Sequence, residues 1–453
     1  MGHELGILGA GASGLSLALL TDLDHLVVEK AQRAGGHAVS TSIDGWTFDR
    51  GPHIMFSRNQ LLLECMIGSL GDNVHRCRRN NAVAVAGVQA RYPIENDLAA
   101  LPHPLRADAL ISLLAAQAAG GDAHNLAEWF VMNFGEVLVS TYFRPYNEKV
   151  WNVPLEALSM DWANRIPRPP QADVIRGAVG EQSEGYLHQL WYSYPLRGGY
   201  AAIMEAWTAG VSDERLLLGS HVQSVRSGRG GVVVGTSTGE QVFERVVSTL
   251  PLRHLVNMVP GVPSTVRDAV SRLVVNSMVV VTLGFEGEDP DQYTAVYIPD
   301  NDFIVNRVSY PAVFSPHNAP AGCFSIQAEI TTPRGSEILS RSDDAIVDEV
   351  VKGLGGRGLV PAGAELVFTW VERFEHAYVV YTQGYRSDLQ LAVEWFATQG
   401  IILHGRFGAH QYVNVDGCLE QSIALARTLG AELTDAEIKG RFEHLGHVAG
   451  VAA

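Results

Sequence analysis

Basic residues are scarce in this 453-residue chain: 33 Lys and Arg stand against 49 Asp and Glu, a formal net charge of −16. A field of that sign repels polyanions, which argues against nucleic acid or anionic lipid as a partner. Any anionic ligand must then be held by a few local arginines and backbone N–H groups. Cysteine is also sparse. Cys65, Cys77, Cys323 and Cys418 lie far apart without CxxC or other paired spacing, so neither a disulfide framework nor a zinc site is expected, and a reducing, cytoplasmic setting is. His444 and His447 have no further spaced ligands around them, so no metal is expected there either. No apolar run is long enough to span a membrane, and no cationic start followed by an h-region and cleavage site opens the chain.

Glycine, by contrast, is plentiful at 46 residues, and its first cluster forms a motif. A strand-like Leu5-Gly6-Ile7-Leu8 runs into Gly9-Ala10-Gly11-Ala12-Ser13-Gly14 and then a helical Leu15 to Leu20. This is GxGxxG in its strand, turn and helix setting. Gly9 permits the tight turn, Gly11 lets a pyrophosphate approach the backbone, and Gly14 allows helix and strand to pack closely. The helix N-terminus offers N–H groups and a positive dipole end to the diphosphate. A second apolar strand, His25 to Val28, ends at Glu29, placed to accept from a ribose hydroxyl. Lys30, the pair Gly35-Gly36 and Phe48-Asp49-Arg50-Gly51-Pro52-His53 follow. These resemble the flavoprotein pattern of a glycine pair beside the cofactor and a histidine near the isoalloxazine, favouring FAD over NAD.

Further along, Val83 to Ala86 reads as a strand, and helical periodicity fills about 97–162, with Leu110, Ile111, Leu113 and Leu114 on one apolar face and Phe130, Phe134, Val137 and Leu138 on another. Pro167, Pro169 and Pro170 are expected to end that region. Strand chemistry returns at Val232 to Val234, Val246 to Leu250, Ser277 to Leu283 and Phe324 to Ile330, and residues 400–429 read as strand, glycine loop and helix. The expected fold is α/β: a discontinuous Rossmann-like FAD domain (1–90, 191–251 and 395–453), a helical insertion (91–190) and a mainly antiparallel sheet domain (252–394).

Several segments occurring in order resemble the UDP-galactopyranose mutase family, in particular its eukaryotic-type branch, within the amine oxidase and protoporphyrinogen oxidase superfamily. They are Tyr92-Pro93-Ile94-Glu95-Asn96, Arg144-Pro145-Tyr146-Asn147-Glu148-Lys149-Val150-Trp151, Trp162 to Arg165, Arg197-Gly198-Gly199, Tyr297 with Asn306-Arg307, and Gly405-Arg406-Phe407-Gly408 with Tyr412, Asn414 and Asp416. The resemblance implies an isomerase that interconverts pyranose and furanose forms of a nucleotide sugar, UDP-galactopyranose or a related one, through a sugar adduct on N5 of reduced FAD. NADPH or another reductant would supply the electrons. The partner is a small molecule, and homo-oligomerisation is left open.

By the same resemblance, FAD contacts fall on Gly9, Gly11, Ser13, Gly14, Glu29, Lys30, Gly36, His53, Val222, Gly405, Arg406, Asn414 and Asp416. Arg165 and Arg307 are the expected catalytic stabilisers of a departing diphosphate, with His53 beside the flavin. Tyr142, Asn147 and Trp151 would form the nucleoside pocket, Asn147 reading the base edge, and Tyr297, Tyr378 and Tyr412 would donate to the diphosphate. Two departures stand out: Glu95 replaces the family's usual glutamine, where a carboxylate would repel a diphosphate, and Arg50-Gly51-Pro52 varies the common glycine pair before the histidine. The alternative is an FAD-dependent oxidase or dehydrogenase of the amine-oxidase type, which needs an apolar cavity and no arginine pair.

Overall fold

The structure, a computed structural model, describes residues 2–166, 168–181, 190–228, 230–287 and 293–449, with the side chains of 447–449 left out. Pro167 and the side chain of His447 therefore lie outside the described residues. The strand His3–Leu8 runs parallel to Gly239–Ser248 on one side and His25–Val28 on the other. Covered on both faces, it buries Leu5, Ile7 and Leu8 completely, which is why it reads as an apolar run. Leu216–Leu217 and Ile401–Leu403 add two parallel strands, and the antiparallel ribbon Val222–Gly228 with Gly231–Thr236 brings this sheet to seven. The helices Ala12–Leu20 and Val415–Thr428 pack side by side on one face. The closing helix Asp435–Ala449 lies across Gln60–Gly68 and Ala201–Ala209, with Phe442 against Trp207.

A second seven-stranded sheet runs in the order Glu365–Val380, Val274–Glu286, Cys323–Pro333, Arg307–Ser309, Ala295–Tyr297, Asn81–Val85, Val88–Arg91. It is antiparallel except where Ala295–Tyr297 pairs with Asn81–Val85. Side chains alternate across a strand. Val279, Val281, Leu283, Ile326, Ala328 and Ile330 pack with Ile346, Val350 and Leu354 of the helix Asp343–Gly355. The opposite face presents Asn276, Met278, Gln327 and Glu329. The sheet's first strand, Glu365–Val380, escaped the sequence reading because it is an edge whose first half, Leu366-Val367-Phe368 then Trp370-Val371, is apolar without alternating and stays largely exposed.

The α/β class is observed, but the division along the chain differs from the one read from sequence. Hairpin Asn81–Val85 and Val88–Arg91 belongs to the second sheet, since its edge is completed by Ala295–Tyr297. Helices Leu252–Met258 and Tyr385–Thr398 pack on strands Val222–Gly228 and Ile401–Leu403 of the first sheet, with Ser264–Arg272 against both helices, in a core that also takes in Val379 and Val380 of the second sheet. Strand and helix patterns do not encode which sheet edge or face will receive them.

In the insertion, His103–Ala119, Leu126–Leu138 and Arg144–Trp151 form the expected helices, the last two joined through one π-helical turn, Val139–Phe143. Phe130, Phe134 and Leu138 are buried as expected, whereas Ile111 is 65% exposed because the helix turns that position to solvent. Pro169 and Pro170 do not close the region. They precede another helix, Gln171–Ala178, at whose start a missing N–H loses no intrahelical bond.

Candidate functional site

The three loop glycines have different local reasons. Gly9 adopts φ +100°, and a Cβ on Gly14 would lie 1.9 Å from the Gly9 carbonyl oxygen, so only glycine lets the helix start against the turn. Gly11 has an ordinary φ of −79°, and a Cβ there would meet nothing nearer than the Gly36 Cα at 3.7 Å. The space beside Gly11 is thus unused by the chain itself. Neither Ala12–Leu20, beginning after Gly11, nor Val415–Thr428, beginning after Asn414, has a side-chain cap, and the first has no acidic residue in its first turn. Two helix N-termini are therefore open to an anion. Asp416 lies in the first turn of the second helix. Gly405 presses against Ser13, whose carbonyl accepts from Ser422 Oγ.

Glu29 ends its strand accepting from the Ala10 and Ala31 N–H groups at 2.8 and 2.9 Å. These bonds aim the carboxylate and leave acceptor capacity for a ribose. The Ser220 N–H donates to the Glu29 carbonyl, bringing the buried Val222 alongside, while Lys30 is exposed.

Beyond Gly36 the loops are organised by Asp49, a buried carboxylate that sequence reading did not single out. It accepts from Ser40 Oγ at 2.6 Å, Tyr194 Oη at 2.9 Å and the Tyr200 N–H at 3.0 Å. Burial raises its carboxyl to about 6, against those bonds. His53 lies with Nδ1 2.9 Å from the Gly51 carbonyl and its ring against Tyr200. Burial, reinforced by Arg406 and Arg307, pushes the imidazole down to about 4, opposed by the Gly51 bond. It is neutral at pH 7, with the Nδ1 proton on Gly51 and Nε2 left as an acceptor. Arg50, the departure from the glycine pair, reaches Glu372 at 3.2 Å and lies over the Phe374 ring.

The expected substrate residues are largely brought together. Tyr378 and Tyr412 stack at 5.9 Å, and three arginines converge on them. Arg165 lies over the Tyr412 ring and donates to the Tyr412 carbonyl, Arg406 lies over both rings, and Arg307 Nη2 reaches Tyr378 Oη at 3.4 Å. Tyr297 accepts from Asn81 Nδ2, with Tyr92 and Tyr146 against its ring.

Two expectations need correction. Arg307 is not free to meet a ligand with its whole charge: Nε and Nη2 grip the fully buried Glu329 carboxylate at 2.7–3.0 Å. The antiparallel register sets Glu329 opposite Arg307, and the fork orients the guanidinium with its Nη1 edge remaining. A charged residue on a strand face otherwise buried was the signal for Glu329. Asn147 does not present its amide to a base edge, because Nδ2 donates to the Phe143 carbonyl and Oδ1 accepts from Trp151 Nε1. Trp151 gives one face to Trp162 at 4.2 Å and makes T-shaped contacts with Tyr378 and Tyr412, while Tyr142 packs in the core against Tyr146. Glu95 is buried in the turn Ile94–Asn96, where its charge acts on Tyr92 and Tyr142. Among the described residues one group, His254, Glu375 and His376, brings possible metal-ligand atoms within 4.8 Å, but Arg334 already neutralises Glu375.

The fold and the loop define the class: the chain belongs to the flavin-containing amine oxidoreductase family, which it matches over residues 12–429, and its cofactor is FAD. Within that class its fold is similar to that of a reduced UDP-galactopyranose mutase, at 24% identity, 97% of this chain, 99% of the other and a TM-score of 0.87. A putative protoporphyrinogen oxidase from Exiguobacterium follows at 18% identity, 94% and 98% coverage and a TM-score of 0.74. A cyclohexylamine oxidase from Brevibacterium oxydans gives 13% identity, 95% and 100% coverage and 0.67. Among the described residues no helix is long and apolar enough to cross a membrane.

Proposed function

We propose that this chain is a flavin-dependent mutase of the eukaryotic-type UDP-galactopyranose mutase branch, interconverting pyranose and furanose forms of UDP-galactopyranose or a related nucleotide sugar. The observation that carries this reading is the convergence of Arg165, Arg307 and Arg406 on the stacked Tyr378 and Tyr412. In a chain of net charge −16 such a grouping is a local exception, and it suits a diphosphate leaving group better than an amine. Reduced flavin supplies the nucleophile toward the sugar when bound. The loop from Gly9 to Gly14, Glu29, Gly36, Val222, Gly405 and the N-terminus after Asn414 would hold FAD. Neutral His53 would offer Nε2 as an acceptor beside it. The Nη1 edge of Arg307, held by Glu329, together with Arg165 and the hydroxyls of Tyr297, Tyr378 and Tyr412, would stabilise charge developing on the diphosphate. Trp151 and Tyr142 would back the nucleoside side as packed walls.

The test incubates FAD-loaded protein, with and without dithionite or NADPH, with a panel of nucleotide sugars. Furanose product from the reduced protein alone supports the mutase, and Arg165→Ala and Arg307→Ala should each lower turnover by at least about tenfold. Hydrogen peroxide formed from an amine by the oxidised protein, without ring contraction, would replace this reading by the oxidase one.

A further inference from the structure

The helix Arg144–Trp151 and the second sheet meet through two polar contacts. From the helix, Lys149 Nζ enters the loop joining Ala295–Tyr297 to Arg307–Ser309 and donates to the carbonyls of Ile298 at 3.1 Å, Asp300 at 2.7 Å and Val305 at 2.7 Å. From the sheet, the buried Asn276 Nδ2 donates to the last helix carbonyls, Val150 at 3.2 Å and Trp151 at 2.8 Å. The loop that receives Lys149 begins after Tyr297 and ends before Arg307, closed by the Ile298 N–H on the Asn306 carbonyl. The helix that sends it carries Tyr146, Asn147 and Trp151.

We infer that Lys149 is a positioning residue: seated among three carbonyls, its ammonium fixes the wall bearing Tyr146 and Trp151 against the wall bearing Tyr297 and Arg307 and so sets the width of the proposed diphosphate site. The choice of side chain follows from geometry. Three carbonyls converging on one point match the three donors of an ammonium, whereas a planar guanidinium would splay past them. No other side chain of the helix bridges to this loop among the described contacts. Asp300 and Asp302 face Lys149 from the loop but are engaged by Arg357, so the backbone carbonyls are its direct partners. Burial pushes the ammonium down to about 7, with Asp300 and Asp302 opposing and Arg357 assisting. An uncharged amine keeps only two N–H donors for three carbonyls, so the clamp slackens as pH rises through that value.

The inference rests on the nucleotide-sugar reading for its probe, UDP, but not for its mechanics. Lys149→Met preserves length and fills the volume. In the FAD-loaded protein it should leave FAD content and melting temperature near wild type, weaken UDP binding by at least about tenfold at pH 6.5, and remove the loss of UDP affinity that wild type shows by pH 8.5. On any substrate turned over, KM should rise while kcat changes by less than about threefold. A Lys149→Met protein that binds UDP as wild type does overturns the inference. Should the variant not fold, hydrogen exchange of wild-type amides 298–306 between pH 6 and 9 decides. A protection factor that falls several-fold through about pH 7 supports the clamp, and a constant one overturns it. If wild type itself binds no UDP, the functional reading fails and the exchange measurement alone judges Lys149.

Discussion

Gly11 and Gly14 sit three residues apart in one motif, yet they make opposite demands on a methyl group. Alanine at position 14 would drive a Cβ into the Gly9 carbonyl, so Gly14→Ala should destabilise the fold by at least about 2 kcal/mol, read as a lowered melting temperature of the FAD-free protein. Alanine at position 11 meets only open space and an ordinary φ. Gly11→Ala should therefore leave FAD-free stability within about 0.5 kcal/mol of wild type and weaken FAD binding by at least about tenfold. Equal stability losses in the two variants would show that the space beside Gly11 is not reserved for the cofactor. Glu329 makes the second residue-scale case. Glu329→Gln leaves the Arg307 charge three-quarters buried without its carboxylate, a loss of about 2–3 kcal/mol in denaturant unfolding; an unchanged midpoint would mean that solvent already compensates Arg307. The arginine was legible as one member of a motif. Its carboxylate partner was not, because pairing 22 residues apart along the chain is decided by strand register.

Among elements, the two helices beside the phosphate loop depend on a hydrogen-bond chain across their interface. Ser422 Oγ lies 2.8 Å from Ser16 Oγ, 2.9 Å from His404 Nε2 and 3.2 Å from the Ser13 carbonyl. Ser422→Ala removes the common partner and leaves buried polar groups behind. We expect a loss of roughly 1–3 kcal/mol, with FAD released at lower temperature than in wild type; a melting temperature within error of wild type would show that water or a rotated Ser16 takes over. Helices and central strands were the legible elements, because burial on one stripe or on both faces writes an apolar period into the sequence. The Glu365–Val380 strand was not. Its exposed edge carries no such period, and it is a strand because Val274–Glu286 offers it a partner.

At the scale of the whole molecule, the acidic balance coexists with histidines buried in the uncharged state. Burial pushes His376, His404 and His410 down to about 4 each. In the unfolded chain these imidazoles titrate near about 6.5 and bind protons between pH 6.5 and 4 that the folded protein excludes. Their stabilising contribution is whole above pH 6.5 and declines as pH falls toward 4. Asp49, raised to about 6, works in the opposite sense over part of that window, since the folded carboxyl keeps a proton the unfolded one has lost. With His53, also pushed down to about 4, four such groups outweigh one, so the melting temperature should drop by on the order of 5 °C from pH 7 to pH 5. A flat profile by scanning fluorimetry would mean that the imidazoles are charged in the fold.

Local chemistry was enough to determine the dinucleotide loop and the α/β alternation, since each depends on neighbours a few positions apart or on a periodic apolar face; the flavin class and the separate motif residues were legible only through family resemblance. Tertiary structure alone decided which sheet takes the Asn81–Arg91 hairpin, that Asn147 bonds to Trp151 and Trp151 gives one face to Trp162, that Glu329 holds Arg307, and that Lys149 bridges helix and loop. Those outcomes depend on which distant strands pair and in what register, and on which side chains then meet in a buried space where every polar group must find a partner.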